Sequence, residues 1–147
     1  MKLFVLDTYK LMSKHAADDV IETMQSRDQA LICTASGDSP AGLYRELVER
    51  AEKQQLDISG WHIVGLDEWA GLNGRDEGSC RYHLDRELFH PLHVARENIC
   101  FFDGRADDLR AECEQTEKFI RERGGMDVAI LGVGMNGHVP CSTDRIA

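Results

Sequence analysis

The sequence predicts an α/β domain built on a parallel sheet with helices on both faces. Three observations predict it. Short apolar runs alternate with longer stretches of helical period along the chain, helix start and stop signals fall between them, and the loops after three of the apolar runs are rich in glycine, hydroxyl and carboxylate residues. A chain of 147 residues, 42% hydrophobic and 29% charged, is the size of one domain with one sizeable core.

The elements follow in order. "KLFVL" (residues 2–6) is an apolar run expected to form the first strand. From Thr8 to Gln25, Leu11, His15, Val20, Ile21 and Met24 recur near one helical face. "QALICTA" (29–35) is the second expected strand. The next helix is opened by Ser39 as a cap and Pro40 in its first turn, aligns Leu43, Leu47 and Val48, and should end near Gln55. Residues 62–66, within "WHIVGL", form the third expected strand. "SCRYHLDRELFHPL" (79–92) is a helix ended by Pro91, and residues 99–102 a fourth short strand. A charged helix runs from Asp107 to the terminating pair Gly124 and Gly125, and "MDVAIL" (126–131) is the last strand. No internal repeat, low-complexity segment or linker divides the chain.

Charge and cysteine usage bound the function. A formal charge of −9 opposes binding to nucleic acid, which needs an excess of Lys and Arg. No apolar run is long enough to span a bilayer, and "MKLFVLDTYK" is too short and too soon polar for a secretory signal, so a cytoplasmic location is expected and no membrane partner. The five cysteines (Cys33, Cys80, Cys100, Cys113, Cys141) never form a C-x-x-C pair. With His62, His83, His90, His93 and His138 they show no ligand-like spacing, so reduced thiols are expected rather than a metal site.

In an open parallel sheet, ligands lie beyond the carboxyl ends of the strands. Three loops fall there. "SGDSP" carries Ser36, Gly37, Asp38 and Ser39 before a helix, a pattern that either cradles phosphate on backbone N–H groups and hydroxyls or only caps the helix. "DEW" places Asp67 and Glu68 directly after a strand, where one carboxylate can serve as a general base; adjacent residues point to opposite sides, so one of the two is expected to face the site. "GVGMNGH" contains Gly132, Gly134 and Gly137 in G-x-G-x-x-G spacing. A dinucleotide fingerprint normally lies in the first strand-helix unit and opens a long helix. A loop delivering the His138 imidazole to chemistry fits this position better, against the plainer reading of a structural histidine.

Together "TASGDSPAGLYREL", "VGLDEWAGL" and "LGVGMNGH" resemble the phosphate loop, catalytic Asp motif and catalytic His motif of the glucosamine-6-phosphate deaminase family, which includes galactosamine-6-phosphate isomerases. The resemblance covers residues 3–138, and "RGGMDVAILGVGMNGH" is its most specific stretch. The sister family of 6-phosphogluconolactonases usually has Asp-Glu-Arg at the second motif and Pro-Asp-Gly-His at the third, where this chain has Asp67-Glu68-Trp69 and Met135-Asn136-Gly137-His138. The amino-sugar branch is therefore favoured, with a lactonase-like hydrolase as the alternative.

The resemblance implies a Rossmann-like sheet and a reaction in which an amino-sugar 6-phosphate opens, a proton moves between C1 and C2, and ammonia leaves. It implies Asp67 as the base, His138 as the group assisting ring opening, Asn136 as its support, and Ser36, Gly37, Asp38 and Ser39 as the phosphate loop, with no cofactor. Three departures accompany it. Thr143 stands where the family has a Glu paired with the His, no counterpart follows of the Arg and Lys that clamp the phosphate, and the Asp38 carboxylate would repel a phosphate unless it points away. Residues 1–138 are thus expected to be the N-terminal part of a deaminase-like domain and 139–147 a divergent tail, of the kind a frameshift or an altered terminus produces. From this follow two functional classes: an amino-sugar-phosphate isomerase/deaminase, or an inert fragment that binds sugar phosphate and associates with itself.

Overall fold

The computed structural model describes residues 2–54 and 56–139. Four strands, β1 (Ala30–Thr34), β2 (Trp61–Gly65), β3 (Ile99–Cys100) and β4 (Val128–Ala129), form one sheet in the order β3-β2-β1-β4, every pairing parallel. The ladder beside β4 extends past the strand proper, because the Asp127 N–H donates to the Leu31 carbonyl (2.8 Å) and the Ile130 N–H to the Cys33 carbonyl (2.9 Å).

Alternation along β1 and β2 sorts side chains to two faces. Ala30, Ile32, Trp61 and Ile63 join the larger core with α1 (Tyr9–Gln25), α2 (Asp38–Gln54) and the segment 84–92. Leu31, Cys33 and Val64 face the opposite way, against Phe119 and Ile120 of α4 (Leu109–Glu122). Both faces are covered, as near-continuous apolar strands require.

Local signals fix the helices. Thr8 caps α1 by accepting from the Leu11 N–H (3.2 Å), and Asp108 caps α4 by accepting from Arg110 and Ala111 (2.9 and 3.0 Å). Gly124 and Gly125, at φ of 79° and 106°, terminate α4 in the left-handed region. Helices α1 and α2 meet closely over small residues: a Cβ on Gly42 would lie 2.2 Å from Ser13 Oγ and 2.6 Å from the Tyr9 ring. The short helix α3 (Cys80–Leu84), capped by Ser79, runs into a π turn over Asp85–Phe89, and the chain leaves it before Pro91.

Two expectations are corrected. Residues 2–6 are not a strand: Phe4 packs edge-on against the His15 ring at 4.4 Å, while Leu3 and Val5 are 80% and 86% exposed. Composition favours a strand there, but a strand also needs a neighbour's backbone, and among the described residues no sheet edge pairs with this segment. Ser39 does not cap α2, which begins one residue earlier at Asp38. Its hydroxyl instead donates to the Val133 carbonyl (3.1 Å), tying the helix start to the last loop.

Candidate active site

Strand β1 is flanked by β2 on one side and β4 on the other, and the chain visits them in opposite directions, so the crevice at their carboxyl ends lies at a topological switch point. A cavity of about 380 Å³ occupies it. The three loops singled out in the sequence converge there: Ser36, Gly37, Asp38 and Ser39 from the first, Asp67 from the second, and Gly132, Gly134 and His138 from the third all line it.

Each loop is held by identifiable bonds. Gly37, at φ 125°, makes the turn from β1 into α2 in a conformation that side-chain-bearing residues avoid. The Tyr9 hydroxyl of α1 donates to the Asp38 carbonyl (2.7 Å) and accepts from the Gly42 N–H (2.7 Å), bracing the first turn of α2 from behind. That first turn offers backbone N–H groups and the positive end of a 17-residue helix to the crevice. Asp38 lies in the lining rather than away from it, so an anion there meets helix N–H groups and a carboxylate together. No Lys or Arg lines the crevice among the described residues.

The carboxylate pair divides its labour. Glu68 accepts from the N–H groups of Trp69 (2.8 Å), Cys80 (3.0 Å) and Arg81 (3.0 Å), so its charge is spent at the start of α3. Asp67 lines the crevice. Of the pair, Asp67 is the one in the crevice lining, because capping of α3 takes Glu68.

The last loop is a tight turn. The Gly134 N–H donates to the His138 carbonyl (2.8 Å), the Gly137 N–H to the Gly134 carbonyl (2.9 Å), and Gly137 has φ 81°. Asn136 is not in the crevice lining; its carboxamide oxygen accepts from the His138 N–H (3.1 Å) and so shapes the backbone that carries the imidazole. A Cβ at Gly134 would come within 2.9 Å of that same oxygen. Thr143 lies outside the described residues.

Sequence reasoning did not single out Cys80, which lines the crevice, and used Trp69, another lining residue, only to tell the two branches apart. Burial pushes the Cys80 thiol up to about 11; contact with the Ser36 hydroxyl opposes the rise, and the charges of Asp67 and Glu68 add to it. Cys80 links the first two loops, yet nothing in its spacing from Ser36 or Asp67 signals that. As to metals, no cluster of three His, Cys, Asp or Glu side chains suited to one occurs among the described residues.

Comparison with known proteins places this geometry in context. The model of the family described as glucosamine-6-phosphate isomerases/6-phosphogluconolactonase matches residues 7–142. A glucosamine-6-phosphate deaminase of Clostridium botulinum is 35% identical over all 147 residues, which cover 60% of that relative. Another from Clostridium beijerinckii is 37% identical over 139 residues, covering 95% of this chain and 57% of the relative. Among solved structures, a monomeric glucosamine-6-phosphate deaminase superposes with a TM-score of 0.89 at 31% identity, over 95% of this chain and 58% of its own. A 6-phosphogluconolactonase from Thermotoga maritima reaches 0.79 at 23% identity, over 96% and 63%, a likeness of fold. The chain thus spans about three fifths of the length of the curated relatives it matches.

Proposed function

The chain belongs to the family of glucosamine-6-phosphate isomerases and 6-phosphogluconolactonases, and from this we propose that its crevice is an amino-sugar-6-phosphate deaminase/isomerase site. The observation that carries the reading is the meeting of Asp67, His138 and the loop Ser36, Gly37, Asp38 and Ser39 in one cavity at the switch point. In this reading the substrate phosphate lies against Ser36–Ser39 and the start of α2. His138 assists proton transfer as the ring opens. The Asp67 carboxylate takes the proton from C2 and returns it to C1 while a proton passes from the substrate ammonium to the C1 oxygen, so the C1 aldehyde becomes an alcohol and C2 becomes an iminium. Water adds to that iminium, and ammonia leaves as the ketose 6-phosphate forms. Asn136 acts through the turn that holds His138. No step in this sequence calls for a cofactor.

A second reading, binding of sugar phosphate without turnover, draws support from Thr143 at the position of the family's paired Glu. Lactone hydrolysis has weaker support, because Trp69 stands where the lactonases usually carry Arg. Ammonia release from glucosamine 6-phosphate and galactosamine 6-phosphate separates the readings. Release abolished by Asp67→Asn supports the deaminase; saturable binding of either sugar phosphate with no ammonia supports the binding-only form; hydrolysis of 6-phosphogluconolactone without ammonia release overturns both.

A further inference from the structure

A larger cavity, of about 700 Å³, lies away from the crevice, between the loop 73–75, the α3 and π-turn segment, and β3. Its chemistry is unlike that of the crevice. Arg75, Arg81 and Arg96, from three separate segments, all line it, in a chain whose formal charge is −9.

The carboxylates in the lining are already engaged. Asp85 accepts from Arg81 Nε at 2.7 Å. Asp103 accepts from the Arg105 N–H (2.9 Å) and from Asn73 (3.1 Å), bonds that lower its pKa below the ordinary carboxylate range. Arg75 and Arg96 have no carboxylate within 4.0 Å among the described residues.

Arg81 is held ready. Its guanidinium lies 5.2 and 5.6 Å from the ring centres of Phe89 and Phe101, and among the described residues only its Nε is hydrogen-bonded, which leaves the Nη groups for a ligand. Gly74 makes room for it: a Cβ there would come 2.7 Å from Arg81 Cγ. The π turn, a rare element found often at functional sites, sets Phe89 and Asp85 around the same guanidinium.

We propose that this cavity binds a phosphorylated small molecule, with its phosphate held by Arg75, Arg81 and Arg96 and its less polar part against the Phe89–Phe101 wall. Guanidinium groups match phosphate and carboxylate geometry alike. Three guanidinium groups against two carboxylates, Asp85 and Asp103, leave the lining net positive, which suits an anionic group such as phosphate, of charge about −1.5 to −2 at neutral pH. The volume is in the range of small-molecule sites, roughly 300–1,000 Å³.

The test is an NMR titration of the full chain with inorganic pyrophosphate, at ionic strength held constant with sodium chloride. Saturable shifts of the Arg81 Nε–H and of the backbone amides of residues 74–75 and 96–102 are expected. Replacing Arg75 and Arg96 together by Ser should weaken this binding about tenfold or more while leaving any shifts at residues 36–39 in place. Arg96→Ser alone should weaken it severalfold, which serves if the double variant loses its fold by circular dichroism. Shifts confined to residues 36–39, shifts that do not saturate, or saturable shifts unchanged by the substitutions would each overturn the proposal.

Discussion

Glu68 shows how one residue can shape a site without lining it. Its carboxylate accepts from the adjacent Trp69 N–H and, twelve and thirteen residues on, from those of Cys80 and Arg81, holding the start of α3 beside Asp67. Glu68→Ala should destabilise the fold by about 1–2 kcal/mol, the scale of a lost helix cap, as read from urea unfolding. Cys80, also at that junction, has its thiol pKa raised to about 11 from an unfolded value of 9.0. The folded state therefore holds the proton more tightly. The resulting stabilisation is fully present below pH 9.0 and is lost as pH rises through about 11; the half-buried Cys100 thiol, raised from 9.0, and the buried Tyr44 hydroxyl, raised from 10.0, add to the decline. Urea midpoints measured from pH 8 upward should decline across this window, and less steeply in Cys80→Ala. Alkylation mapped by mass spectrometry at pH 8 should label exposed Cys113 well before Cys80.

At the scale of elements, the joint between α1 and α2 sets where the loop of residues 36–39 sits. Ser13 and Ala17 of α1 are buried, and Gly42 of α2 leaves the gap that Ser13 and Tyr9 fill. Gly42→Ala gains up to about 1 kcal/mol of helix propensity but forces a Cβ to 2.2 Å from Ser13 Oγ. Overpacking of that kind costs about 1–3 kcal/mol, so a net loss of thermal stability is expected, relieved in part by Ser13→Ala. The other end of the joint is the start of α2, and a sulfate or phosphate soaked into crystals should lie against Ser36–Ser39 there rather than at residues 132–137, since the helix N–H groups converge at the former. An anion held at 132–137 with 36–39 empty would contradict this.

Across the whole molecule, apolar surface is distributed unevenly. Met126 and Leu131, flanking β4 at the edge of the sheet, are about half exposed, and Leu3 and Val5 lie almost fully in solvent. Among the described residues no strand pairs with the outer edge of β4, and such an edge beside apolar side chains is a template for association. We therefore propose that this chain associates with itself, although the 31% identical solved relative is described as monomeric. Multi-angle light scattering should report a mass above 16.6 kDa, and Leu131→Lys should shift it toward the monomer. A strictly monomeric mass for the unaltered chain would refute the proposal.

The sequence by itself determined the helices, the two central strands and the three loops of the crevice. These depend on neighbours in the chain: Thr8 and Asp108 as caps, the Gly124–Gly125 stop, uniformly apolar β1 and β2, and motifs whose residues lie within a few positions of each other. Tertiary structure alone decided what depends on distant backbone. Among the described residues it gave residues 2–6 no partner strand, which apolar composition cannot supply. It turned Glu68 to α3 and left Asp67 to the crevice, because the N–H groups that need capping arrive from residues 80 and 81. It also brought Arg75, Arg81 and Arg96 around one cavity. Spacing in sequence carries no record of that convergence, since it arises only when α3 and β3 pack against the loop that precedes them.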